Sequence, residues 1–162
     1  MKSQRLQEAI AYRQKGQFED AGKILFELYA TEPNDPIINY QLAYLHDSQG
    51  KESAAVPYYE KAIHHGLPDE ELSSALLGLG STYRCLGRYD DAVRTLRKGA
   101  ELFPDERQFP VFLAMALYNC RQHHEAMSLL LKNLIETSND ENITGYRNAL
   151  LFYHDKLDQT WD

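Results

Sequence analysis

The stretch LLGLGSTYRCLGRYDDAVRTLRKGAELFP, residues 76–104, decides the fold. Within it Leu79-Gly80 precedes Tyr83, Gly87, Tyr89, Ala92, Leu96 and Pro104, a pattern with its centre at the turn residue Gly87. Taking Gly87 as a register mark, the same pattern recurs along the chain. Gly16, Gly50, Gly87 and residue Arg121 follow one another at steps of 34, 37 and 34 residues. Five residues after each mark stands alanine: Ala21, Ala55, Ala92 and Ala126. Seven residues before each stands Ala9, Ala43, Gly80 or Ala114. Small residues at two fixed places in a repeat let two helices cross closely, with axes about 8–10 Å apart. A large side chain there would overpack the crossing at a cost of about 1–3 kcal/mol. Pro33 and Pro104 close the first and third units, where a helix must stop.

This order and spacing resemble the tetratricopeptide repeat, a helix–turn–helix unit of about 34 residues. Leu76 stands where that family favours Trp, and Gly99 where it favours a second small Ala. The resemblance implies an all-α, right-handed solenoid of four repeats, about 2–33, 36–66, 70–104 and 107–138, followed by a capping helix at about 142–157 and forming one domain over 1–162. The cap is expected because a solenoid must cover its last apolar face. Asn34 or Asp35 can cap the helix that Pro36 opens. Pro57 falls inside the second helix of its repeat, which must start late or bend. Gly66 can end that helix, and Pro68 with Asp69, Glu70 and Glu71 predicts a third-repeat helix about one turn longer than its neighbours. Repeat four is degenerate, with Leu117, Arg121 and Asn133 in place of the Tyr, the turn Gly and the second small residue, and Pro110 sets its first helix to begin at about 109–110.

Composition narrows the function. The chain of 162 residues is 43% hydrophobic and 25% charged, ample for a core, and carries a net charge of −7. That acidic balance, without a Lys/Arg cluster, argues against nucleic acid. Arg5, Glu8 and Arg13 interrupt the place where a signal peptide needs an apolar run, and no segment reaches the length that spans a bilayer. With only Cys85 and Cys120 there is no disulfide framework. A cytoplasmic protein that binds neither membrane nor nucleic acid is expected.

No catalytic motif emerges: no phosphate loop, no nucleophile elbow, no metalloprotease helix. The pairs His64-His65 and His123-His124 are adjacent, so their side chains diverge on a helix rather than converge on a metal. All six histidines read as polar residues of helix ends and turns, and both cysteines as half-buried packing residues. Neither an enzyme, a cofactor nor a metal is expected.

What remains is surface. In the family the first helix of each repeat lines a concave groove, at its positions two, five, nine, twelve and thirteen. Carried over, these are Ser3, Leu6, Ile10, Arg13 and Gln14; Ile37, Tyr40, Tyr44, Asp47 and Ser48; Ser74, Leu77, Ser81, Arg84 and Cys85; Gln108, Val111, Met115, Tyr118 and Asn119. The resemblance thus implies a partner-binding groove built mainly on Leu6, Ile10, Arg13, Tyr40, Tyr44, Leu77, Arg84, Val111, Met115 and Tyr118. It is apolar and aromatic, and lacks the Lys, Asn and Arg with which one subclass grips a peptide carboxylate. Arg13, Asp47 and Arg84 share one slot, either as a ladder of exposed ion pairs or as ligand contacts. A protein or peptide partner is expected; the alternative is an assembly protein, a homodimer for instance, whose groove or end helix packs on another copy. Trp161, the sole tryptophan, is either part of a frayed tail or docked in a groove of its own or a neighbouring copy.

Overall fold

A computed structural model describes residues 2–161, and every regular element among them is helical. In chain order these are α1 (Lys2–Gln14), α2 (Phe18–Thr31), α3 (Pro36–Asp47), α4 (Glu52–His65), α5 (Asp69–Cys85), α6 (Tyr89–Leu102), α7 (Gln108–Asn119), α8 (His123–Thr137), α9 (Glu141–Thr144) and α10 (Arg147–Tyr153). The first eight fall at the places expected of the repeat helices, and α1 packs on α2, α3 on α4 and α7 on α8. Along the chain the contacts fall into two compact units, Met1–Arg88 and Tyr89–Asp162. In a repeat protein each element packs only on its neighbours, so no single core ties the ends together.

The four turns share one geometry. At each, the N–H after the mark donates to the carbonyl five residues back: Gln17 to Tyr12, Lys51 to His46, Arg88 to Tyr83 and Gln122 to Leu117, each at 2.9–3.0 Å. This closure needs a left-handed residue at the mark. Gly16, Gly50 and Gly87 take it at φ 74°, 66° and 74°. Arg121 takes it too, at φ 61°, the one positive φ among the described non-glycine residues. The turn is thus imposed on Arg121 by the flanking helices, against its own preference.

All eight small residues of the register are buried; Ala9, Ala21, Ala43, Ala55 and Ala92 are 0% exposed. In the first unit they sit among Leu25, Leu28, Ile38, Leu42 and Leu45. Leu6, expected in the groove, packs against this cluster as a half-buried residue. Asn39, wholly buried, donates to the carbonyls of Pro33 and Asp35 and so fixes the loop between the first two pairs. Asp35 caps α3 by accepting from the Ile38 N–H at 2.9 Å.

In the second unit the core holds Leu96, Phe109, Leu113, Leu117 and Ile135. Gly99 of α6 lies against Phe109 of α7, and a methyl group on it would fall 2.0 Å from Phe109 Cε1. The Phe109 ring, 0% exposed, stacks on Phe103 at 6.2 Å.

Helix α5 is 17 residues long against 12 in α3 and α7, as the acidic opening Asp69-Glu70-Glu71 suggested. Helix α4 runs through Pro57 from Glu52 and does not start late. Helix α7 begins at Gln108, just ahead of the expected position. One expectation fails: residues 142–157 are not one helix but α9 and α10, parted at Gly145 and Tyr146. Gly145 is a poor helix former, Tyr146 sits at φ −102°, ψ 11°, and no residue of either helix is buried, so no packing offsets the break. Trp161 rests on the rings of Phe152 (6.0 Å) and Tyr153 (5.2 Å) and is 55% exposed. It lies on its own α10 rather than in a groove of the A helices.

Candidate functional site

The ten groove residues divide between the units: seven from Leu6 to Arg84 in the first and Val111, Met115 and Tyr118 in the second. On the first unit a continuous line of contacts joins three first helices. The Arg13 guanidinium of α1 lies 3.9 Å from the centre of the Tyr44 ring of α3. Tyr44 meets Tyr40 edge-on at 6.3 Å, one turn earlier on the same face. Tyr40 meets Tyr59 of α4 at 6.5 Å and is hydrogen-bonded to Ser74 of α5. Tyr44, exposed by 41%, is the accessible top of this line.

Tyr40 is a correction. Its phase on α3 is that of a groove residue, yet it is buried, at 8% exposure. Tyr59 of α4 and Ser74 of α5 neighbour it, and little of its surface is left accessible. Burial pushes its phenol pKa up, the Ser74 hydrogen bond opposing.

Beneath the aromatic line lies a polar knot. The Tyr59 hydroxyl donates to Asp47 Oδ2 at 3.1 Å, and Thr82 of α5 lies 3.3 Å from Asp47 Oδ1 while donating to the Gly78 carbonyl at 2.8 Å. Gly78 makes room for this: a methyl group there would fall 2.6 Å from the Tyr59 hydroxyl oxygen. Burial raises the Asp47 pKa, with the Tyr59 and Thr82 hydrogen bonds opposing, and burial then the Asp47 charge raise that of Tyr59. The ladder of exposed ion pairs through Arg13 and Asp47 is therefore not formed. Asp47 takes hydroxyl partners and Arg13 a ring.

The other expected residues are less gathered. Ile10, Leu77 and Arg84 are half-buried on α1 and α5. In the second unit Val111 and Met115 are half-buried and Tyr118 is 63% exposed, its ring 4.8 Å from that of His123. Sequence reasoning did not find Tyr59 or Thr82 as parts of this site. Tyr59 belongs to a second helix, and only its distance of twelve residues from Asp47 across the turn hinted at a pairing.

Of the histidines and cysteines, only Cys85 departs from expectation. His46 stands in the last turn of α3, a helix end as expected, with its imidazole half-buried and stacked on Tyr58 at 5.5 Å; burial, then Lys51, lowers its pKa. Cys85 is exposed rather than half-buried. Cys120 lies 3.8 Å from Asp90, and burial together with that carboxylate pushes its thiol pKa up, the opposite of what a nucleophile needs. Among the described residues no cluster of His, Cys, Asp and Glu could hold a metal ion, and no helix is long and apolar enough to cross a membrane.

The geometry has relatives. Solved structures share the fold, among them Cut9–Hcn1 of the APC/C hetero-tetramer, with a TM-score of 0.75 and 19% identity. That match covers 93% of this chain and 30% of the other, so the chain spans under a third of its length. PilF of Pseudomonas aeruginosa matches with a TM-score of 0.70 and 17% identity, over 99% of this chain and 78% of that one. MamA of Desulfovibrio magneticus RS-1 matches with a TM-score of 0.76 and 16% identity, over 97% and 87%. At these identities the likeness concerns the fold alone. No curated protein matches the chain. The family model described as "Tetratrico peptide repeat" matches residues 36–157. With that match over most of its length, the chain belongs to the tetratricopeptide repeat family.

Proposed function

We propose that the protein is a non-catalytic interaction module that binds a peptide or helix of a protein partner across the Tyr44 face of its first unit. Proteins of this family generally serve as protein–protein interaction scaffolds rather than catalysts. The observation that carries the reading is the pre-arranged line Arg13–Tyr44–Tyr40–Tyr59, rigid below and exposed at Tyr44. Tyr and Arg are enriched where interfaces gain most energy, and a ring already held in place loses little entropy on binding. Leu6, Ile10, Leu77 and Arg84 would flank it on the same unit, and Val111, Met115 and Tyr118 are a separate set of candidate contacts within the second unit. The test is affinity capture from native extract with the wild type and Tyr44→Ala. The variant should keep its melting temperature and lose the captured partner. A partner retained by a folded Tyr44→Ala would sink the assignment.

Self-association is the second reading, favoured by one observation. Met127, Leu130 and Leu134, at i, i+3 and i+7 of α8, are 39–49% exposed, and Leu151 and Phe152 of α10 are exposed as well. Light scattering across concentration separates the readings, since a monomer throughout is incompatible with assembly through this stripe.

A further inference from the structure

The strongest unassigned feature is the state of Arg13. Its guanidinium is fixed over Tyr44, its Nε is shut off from water, and no protein acceptor meets that nitrogen. Among the described residues no carboxylate pairs with it. Its neighbour in the first unit, Arg5, is by contrast paired with Glu27. Among the described residues the guanidinium has the Tyr44 ring but no carboxylate, and its planar fork suits one approaching from outside. The acidic groups Asp47 and Glu71 are not ion-paired with it. Asp47 accepts from the Tyr59 hydroxyl on one oxygen and has the Thr82 hydroxyl 3.3 Å from the other, and Glu71 of α5 acts on Tyr40 from the far helix of the three.

We infer that Arg13 is the specificity residue of the Tyr44 face, and that the partner segment is apolar with an Asp or Glu side chain seated on Arg13. The inference rests on the binding role proposed for that face and names the chemistry of its occupant. An apolar side chain of the segment would pack on the exposed edge of Tyr44, and its carboxylate would meet the guanidinium beside that ring. Glu71 disfavours a second acid at the α5 end, so the segment's negative charge is confined to the end over α1.

The probe is a random-peptide display library panned on the whole chain, followed by titration of the best peptide made synthetically. Peptides joining apolar residues to an Asp or Glu should be enriched. Their dissociation constant should rise about tenfold or more on Arg13→Gln, and by a similar factor when the peptide's own acid is changed to its amide. The two changes together should cost little more than either alone. The peptide-side change leaves the protein untouched and so serves even if Arg13→Gln fails to fold. Enriched peptides without an acid, or affinities indifferent to both changes, would overturn the inference while leaving the groove in place. No enrichment on the wild type, or enrichment unaffected by Tyr44→Ala, would overturn the groove itself and the inference with it.

Discussion

Replacing Gly99 with alanine tests the packing of the second unit most directly. In an unconstrained helix this change stabilises, by about 1 kcal/mol, because alanine loses less backbone freedom. Here the added methyl would sit 2.0, 2.5 and 2.6 Å from three atoms of the Phe109 ring. Ordinary carbon contacts lie at about 3.5–4.0 Å, so ring or helix must move by more than 1 Å. The ring has no free direction, being 0% exposed and stacked on Phe103. Overpacking of this kind costs about 1–3 kcal/mol, and the severity of the overlap places it at the upper end. After the helical gain is subtracted, Gly99→Ala should lose about 2 kcal/mol, a drop in melting temperature of about 4–8 °C for a chain of this size. Thermal unfolding followed by far-ultraviolet circular dichroism reads this. Gly22→Ala is the internal control: its methyl would meet only Leu45 Cδ2, at 3.5 Å, and it should raise the melting temperature. Shrinking the ring with Phe109→Leu should recover part of the loss in the Gly99→Ala background more than additivity allows. A Gly99→Ala protein that melts at or above the wild type would refute the argument.

Other outcomes follow from the turns and the polar knot. Arg121→Gly should stabilise by about 1 kcal/mol, since it removes a side chain from a left-handed turn that glycine occupies in the other three pairs; an unchanged or lower melting temperature would count against the strain. Asp47→Asn should be more stable than the wild type near neutral pH. Burial holds the folded-state pKa of Asp47 above its unfolded value, so the folded protein binds the extra proton and the carboxylate's penalty is felt fully above that range. The advantage of Asp47→Asn should therefore shrink as pH falls through the carboxylate range. A gap that widens on acidification would mean that the ionised form is favoured by the fold.

Much of the architecture is written in short-range pattern. The eight small residues and the four marks are separated by fixed offsets, and each reports a local steric demand that one sequence can show. The partners of those demands are less legible. Gly99 reads as a departure from alanine in a small-residue slot, and the reason for it, Phe109, lies on the next helix, α7. Tyr40 carries the phase of a groove residue, but exposure depends on what two other helices place over it. Asp47 reads as one rung of a charge ladder, and its hydroxyl partners come from residues twelve and thirty-five positions away. The cap fails for a different reason: Gly145 was visible, but a weak helix former breaks a helix only where packing does not restrain it, and that restraint is tertiary.

The long third pair has a consequence for how such a chain tolerates change. Between the two small residues of each pair the count is constant: twelve positions from Ala9 to Ala21, from Ala43 to Ala55, from Gly80 to Ala92 and from Ala114 to Ala126. The three additional residues all fall at the joint before Gly80, where α5 absorbs them as an early turn. Length is thus constrained inside a hairpin and free between hairpins. Insertions and duplications can accumulate at joints such as Gly66–Pro68 without disturbing either crossing, whereas the same residues added after Gly50 would rotate one helix face away from the other. Soluble yield and melting of paired three-residue insertions at the two places would measure that difference, and equal tolerance would show that the crossings do not set the register.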